Sequence, residues 1–312
     1  LKLTRGGLAL EVCAHGAAIA SLTIDGVEVL LQPEGMNEAE ADAQYLNQLV
    51  GRVANRIGGG RFVLDGELHR VSTNEGPNTL HGGAIGWSMR DWRLERTPAG
   101  VRALYTSADA EMGFPGVVHA LVDIGFVADD AFEIHYNATV EAPTPLNLTH
   151  HLYFNLGGEA GSTILDHELT LAASHFTVCG PGLIPTGERA GVDSTPFDFR
   201  ETRGIGDAMA QSHPQLALAG GIDHNFVLDR AAAPALRLRS PWSGTALEIE
   251  TDQPGVQIYA GQKMPPPWGP YRALAIEPQD FPDAVNHPDF PSAIVRPGER
   301  WSRRVLYRLT RG

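Results

Sequence analysis

Cysteine is nearly missing from this 312-residue chain, which has only Cys13 and Cys179. Two are too few for a disulfide framework, and both are expected to be small buried side chains. Basic residues are outnumbered, 24 Lys and Arg against 37 Asp and Glu, giving a net charge of -13. Nucleic acid and anionic membranes both require a basic footprint, so neither is expected as a partner. No stretch approaches the roughly 18 consecutive apolar residues of a membrane span. There is no charged-then-apolar leader, and the chain begins at Leu1 without methionine. Either it is trimmed or a leader has already been removed, and a cytoplasmic location is the expectation. Low-complexity linkers, charge blocks and solenoid-period repeats are also missing. One domain spanning 1–312 is therefore expected, although the length nominally suggests two. The Gly-rich end of the run 51–60 (GRVANRIGGG) has neither phosphate-loop nor dinucleotide spacing. A Gly-x-Ser-x-Gly elbow is absent as well, which disfavours a serine hydrolase.

What is present points to strands. Gly 35 and Pro 22, against 20% charged residues, favour many turns and short strands over helical bundles. Asp25-Gly26 and Asp65-Gly66 each separate two alternating runs, 21–24 from 27–30 and 61–64 from 67–71. Such pairs suit two-residue hairpin turns, which need positive φ. Further alternating runs occur at 131–140, 236–240, 246–251, 256–260 and 301–309, while only 37–49 and 205–211 read as helical. The expected fold is all-β, one large antiparallel β-sandwich with a few short helices.

The most informative stretch is 147–156, NLTHHLYFNL. Read at period two, Asn147, Thr149, His151, Tyr153 and Asn155 point one way, and Leu148, His150, Leu152, Phe154 and Leu156 the other. That is a strand packed on a core by one face and lining a polar groove with the other. The groove's amides, hydroxyls and imidazole suit a neutral, hydroxyl-rich ligand. Arg52 and Arg56 lie four apart among small and apolar neighbours, so at least one guanidinium is expected to point into a polar site. His81, between Leu80 and Gly82-Gly83, fits either a turn or a functional role. In LAIEPQ, 274–279, Pro278 forces Glu277 into an extended backbone at a strand mouth. Burial there would raise its pKa toward the value a general base requires, although a structural ion pair to an arginine is the alternative. Trp268, in the proline-rich loop 264–270, either stacks on a ligand ring or merely packs.

Taken in order, these segments resemble the aldose 1-epimerase family over nearly the whole chain. Gly51 to Ile57 matches its Gly-Arg-x-Ala-Asn-Arg-Ile, and 80–83 its Leu-His-Gly-Gly. The run 147–155 matches Asn-Leu-Thr-Asn-His-x-Tyr-Phe-Asn, and 184–187 and 196–199 recur as in the family. Asp223-His224-Asn225, the Val256-Gln257-Ile258-Tyr259 strand, and Glu277 followed by Gln279 and Pro282-Asp283-Ala284 complete the pattern.

The resemblance implies the galactose mutarotase-like supersandwich and interconversion of α and β anomers of free aldoses such as glucose, galactose and pentoses. Glu277 would act as base at O1 and His151 as acid at the ring oxygen. Arg56 and His81 would hydrogen-bond the ring-oxygen region, while Asn55, Asp223 and Gln257 fix the hydroxyls. No nucleotide, redox cofactor or metal is implied, and unperturbed pKa values of about 4.3 and about 6.5 would bring both catalytic groups into play near neutrality. Two positions depart from the family. His150 replaces its Asn and, by strand parity, is expected in the core. It cannot chelate an ion together with His151, because neighbours on a strand face opposite ways. Pro278 stands where many members have Thr. A hexose-phosphate mutarotase would need an arginine cluster that the sequence does not offer, and a non-catalytic carbohydrate-binding protein would not need a Glu set opposite a His.

Overall fold

The computed structural model describes residues 1–158, 162–229 and 233–312. Alternation of apolar and polar residues builds its largest sheet. In Ala131–Val140 every second side chain is buried, and the same holds for the first part of Val118–Ala128, its antiparallel neighbour. Nine strands join in this way, in the order Arg93–Thr97, Gly100–Ser107, Val118–Ala128, Ala131–Val140, Trp301–Arg311, Thr245–Thr251, Leu236–Arg239, Glu168–Leu171 and Arg203–Gly204. Both Asp-Gly hairpins form as expected, with φ of 50° and 77° at Asp25-Gly26 and of 52° and 86° at Asp65-Gly66.

A second sheet of six strands carries the chemistry. Its order is Leu152–Phe154, Leu274–Gln279, Gly255–Tyr259, Asp223–Leu228, Ala173–Cys179 and Pro185–Gly191, all antiparallel. Leu152, Phe154, Leu274, Ile276, Ile258 and Phe226 join the core shared with the nine-stranded sheet, where the Phe154 and Tyr307 rings sit 6.1 Å apart. Pairing across the strands sets His151, Glu277, Gln257 and Asn225 on the opposite face. That face is also buried, so all six residues of Leu274–Gln279 are inaccessible. The sandwich core thus lies on one side of the sheet and the site on the other.

Helices are short among the described residues. Asn37 and Glu40 form a reciprocal capping box, yet the helix runs only over Glu38–Asp42 instead of 37–49. Tyr45 and Asn47 end it with φ of 53° and 55°. The Asn47 amide is drawn into the sheet, donating to the Leu31 carbonyl and accepting from the Tyr153 amide at 2.9 Å each. Pro214–Ala219 is a helix not foreseen in sequence, although Pro214 in its first turn and Gly220 at its end are ordinary boundary signals. The second expected helix forms at Ile205–Met209. Cys13 and Cys179 are both free thiols. No helix among the described residues is long and apolar enough to cross a membrane.

Candidate active site

The stretch 147–156 is not one strand. Thr149–His150 pairs with Leu49–Val50, and after His151 the chain crosses to the six-stranded sheet, where Leu152–Phe154 pairs with Leu274–Gln279. His151 sits at this junction, its backbone amide donating to the Gln48 carbonyl at 2.8 Å. Of the five residues on the expected polar face, only His151 and Tyr153 border the cavity over the sheet. Asn147 accepts from the Asp280 amide, and Asn155 donates to the Ser162 and Arg272 carbonyls, so both brace loops. His150 lies in the core as parity requires, between the Tyr136 hydroxyl at 2.8 Å and the Ala17 carbonyl at 3.1 Å.

The cavity, about 170 Å³, is bordered by Tyr153 and by the six residues Asn55, Arg56, His81, His151, Asp223 and Glu277, to which the sequence gives site roles. His151 Nε2 lies 3.4 Å from Glu277 Oε1, with both side chains nearly inaccessible. Burial raises the Glu277 pKa well above the ordinary carboxylate range; Asp223 adds to the rise and Arg56 opposes it. Burial also lowers His151 to about 4, against the opposing pull of Asp223. The unperturbed values expected from sequence therefore do not hold. The carboxyl is pushed up and the imidazole down, so burial favours a proton on Glu277 over one on His151.

The two arginines separate. Arg52 is buried away from the cavity, donating to the carbonyls of Pro115, Gly116 and Ala108 and to the hydroxyls of Ser107 and Thr144. Its burial lowers its pKa to about 10. Arg56 enters the site and grips Glu75 bidentately at 2.7 and 2.8 Å, with Asp223 at 3.9 Å. Burial opposes its charge, but Asp223 and Glu75 outweigh that and push its pKa up.

Two of the residues singled out in sequence stand back from the cavity. Gln257 does not border the cavity; its Nε2 donates to Asp223 Oδ1 at 2.6 Å, so it orients the aspartate from behind. Trp268 is buried against Leu31, Leu46 and Tyr153, and its indole donates to the Gln32 carbonyl at 2.8 Å. It packs and does not offer a face to a ligand. Sequence reasoning gave no site role to Gln44, Tyr45, Glu75, Tyr259 or Lys263, which also border the cavity. Tyr45 stands over both histidines, its ring 4.5 Å from that of His81 and 6.0 Å from that of His151. The only advance signal for Glu75 was its place beside Gly76, just upstream of the Leu80-His81-Gly82-Gly83 motif.

His81, His151 and Glu277 place ligand atoms within 4.8 Å of one another, a spacing that would suit a cation. The donor set does not. His81 Nδ1 accepts the Asn55 amide at 3.1 Å, so in the neutral ring Nε2 carries the proton and neither nitrogen offers a free lone pair. Burial, with His151 and Arg56 nearby, holds His81 well below its ordinary pKa and hence neutral. It is a fixed donor into the cavity.

A buried carboxyl and an imidazole face each other, ringed by hydrogen-bonding side chains on a β-sandwich, an arrangement able to move protons on a small polar molecule. The family model for aldose 1-epimerase matches residues 1–308, and the chain belongs to that family. It is 34% identical to bovine galactose mutarotase, over 99% of this chain and 93% of the relative. With the aldose 1-epimerase of Escherichia coli it shares 32% identity, over 97% and 92%. Its fold is similar to the crystal structure of an aldose epimerase homologue from C. elegans, with a TM-score of 0.90, 31% identity and coverage of 99% and 97%. Galactose 1-epimerase from Lactobacillus acidophilus gives a TM-score of 0.88 at 26% identity, over 98% and 92%. The chain is accordingly an isomerase with aldose 1-epimerase activity and a sugar substrate.

Proposed function

We propose that the chain interconverts the anomers of free aldoses, glucose, galactose and pentoses among them, as one domain, with Glu277 and His151 as its proton-transfer pair. The observation carrying this reading is the buried 3.4 Å contact between the two groups, whose pKa values burial shifts in opposite directions. Opening the hemiacetal takes a proton from the C1 hydroxyl and gives one to the ring oxygen. The aldehyde carbon then rotates about its bond to C2, and the ring hydroxyl closes on its other face, returning its proton to His151 while O1 regains one from Glu277. A pair holding one proton can do this in either direction. Burial favours the proton on Glu277, whereas opening requires a carboxylate at O1. A C1 hydroxyl donating to Glu277 stabilises that carboxylate, and the contact with His151 is the path by which the proton crosses.

The remaining groups have binding roles. His81 Nε2–H and the Arg56 guanidinium act as donors at the ring oxygen, offsetting charge that develops there. Asp223, oriented by Gln257, and Asn55 hold hydroxyls. Free sugars are favoured over phosphates by charge. Glu75, Asp223 and Glu277 border the cavity against Arg56 and Lys263, and Arg56 is already gripped by Glu75. A phosphate would meet carboxylates without a free arginine fork. Support for a single domain comes from one hydrophobic cluster that runs from Leu8 to Leu309.

Anomeric exchange followed by NMR on glucose, galactose, a pentose and glucose 6-phosphate tests the substrate assignment. The free sugars should show the larger kcat/KM. A clear preference for the phosphate would make the protein a hexose-phosphate mutarotase, and unaltered exchange of every sugar would leave a binding protein.

A further inference from the structure

Behind Glu277, on the face away from the sandwich core, lies a group of amides with no protein partner. Gln279 shares the face of Glu277 two residues on, and both its Oε1 and Nε2 are buried without a hydrogen bond. The same is true of both side-chain polar atoms of Asn225, which shares a cross-strand row with Gln257 and Glu277. Gln257 Oε1, Thr149 Oγ1 and Glu277 Oε2 are also unpartnered. Gly255, paired with Gln279, makes room for this group. A Cβ there would lie 2.5 Å from Asn225 Oδ1 and 3.0 Å from the Phe281 ring. None of Asn225, Gln257, Gln279 or Thr149 borders the sugar cavity. A buried polar atom left unpaired is costly, and native proteins meet such groups with internal water.

We propose that Gln279 and Asn225 hold internal water against Glu277 Oε2, making Gln279 a positioning residue that orients the carboxyl and stabilises its ionised form. This deepens the assignment of Glu277 as the base and rests on it. Water donating to Oε2 leaves Oε1 facing His151 and the sugar. The other groups acting on Glu277 are His151, Asp223, Arg56 and Tyr153. Gln279 touches none of them by a hydrogen bond in this structure, so its replacement isolates the effect from behind.

The test is Gln279→Met, close in shape and without the amide. Losing donors to the carboxylate raises the proton affinity of Glu277. The alkaline limb of kcat/KM should move to higher pH, and kcat should fall about 10-fold with little change in KM. A residue that only packed would alter thermal stability and leave that limb in place, and such a result overturns the proposal. Should the variant not fold, a wild-type crystal structure at atomic resolution decides. Water bridging Gln279 to Glu277 Oε2 is expected, and a direct amide-to-carboxyl bond without water refutes it. Neither outcome bears on whether Glu277 is the base, which Glu277→Gln tests separately.

Discussion

His151 and Glu277 meet 3.4 Å apart because the chain changes sheets at residue 151, bringing a histidine that ends one strand pair opposite a glutamate in the next. Their burial opposes charge on both. In the proposed mechanism the pair works with one proton, and pH is its first readout.

Adding a second proton removes the base, and this occurs as pH falls through the His151 value of about 4. Removing the shared proton eliminates the acid as pH rises through the elevated Glu277 value. A kcat/KM profile should be flat between these limits, with its acid limb well below the ordinary histidine range. An acid limb near pH 6.5 would mean that His151 is not desolvated in the free enzyme.

Much of this was legible in sequence. Strand parity placed His150 in the core and His151 outside it, whereas Pro278 does not end the strand at Glu277, because the ladder continues with Pro278 opposite Val256 and Gln279 opposite Gly255. Parity could not reveal that the strand breaks at 151, which is why Asn147 and Asn155 were expected in the groove but brace loops instead. Arg52 and Arg56 look alike in an apolar run; partners distant in sequence, the 115–116 carbonyls and Glu75, assign one to the framework and the other to the site. Tyr45 was hidden because it interrupts an apparent helix, and Trp268 because the Gln32 carbonyl that holds it lies far away in the chain.

The two arginines should respond differently to mutation. Arg52→Met removes five hydrogen bonds and strands their acceptors, and is expected to destabilise the fold by about 3 kcal/mol or more. The fraction that folds should keep its kcat. Glu75→Gln loosens the grip on Arg56 and should raise KM about 3- to 10-fold with a smaller change in kcat. Thermal denaturation together with steady-state kinetics separates the two effects, and loss of kcat in folded Arg52→Met would place that residue in the chemistry.

Exhaustive chelation should leave activity intact, because His81 spends one nitrogen on the Asn55 amide and a proton on the other. Activity lost with chelator and restored by one divalent ion would show that the His81, His151 and Glu277 cluster binds a metal after all.

Folding should record the cost of the buried acid. Since the folded-state pKa of Glu277 is raised, folding is opposed increasingly as pH climbs above the unfolded carboxyl value of about 4.3. Glu277→Gln should therefore melt at a higher temperature than wild type at pH 8, with the difference shrinking toward pH 4. A lower Tm at pH 8 would contradict the direction of the shift.

Polarimetry of freshly dissolved α-glucose, with wild type, Glu277→Gln and His151→Asn compared at equal concentration, tests the paired-proton mechanism most directly. Wild type should speed the decay of rotation, and each folded variant should lower kcat by about 10²- to 10⁴-fold with little change in KM. A folded Glu277→Gln enzyme that retained wild-type mutarotation would contradict it.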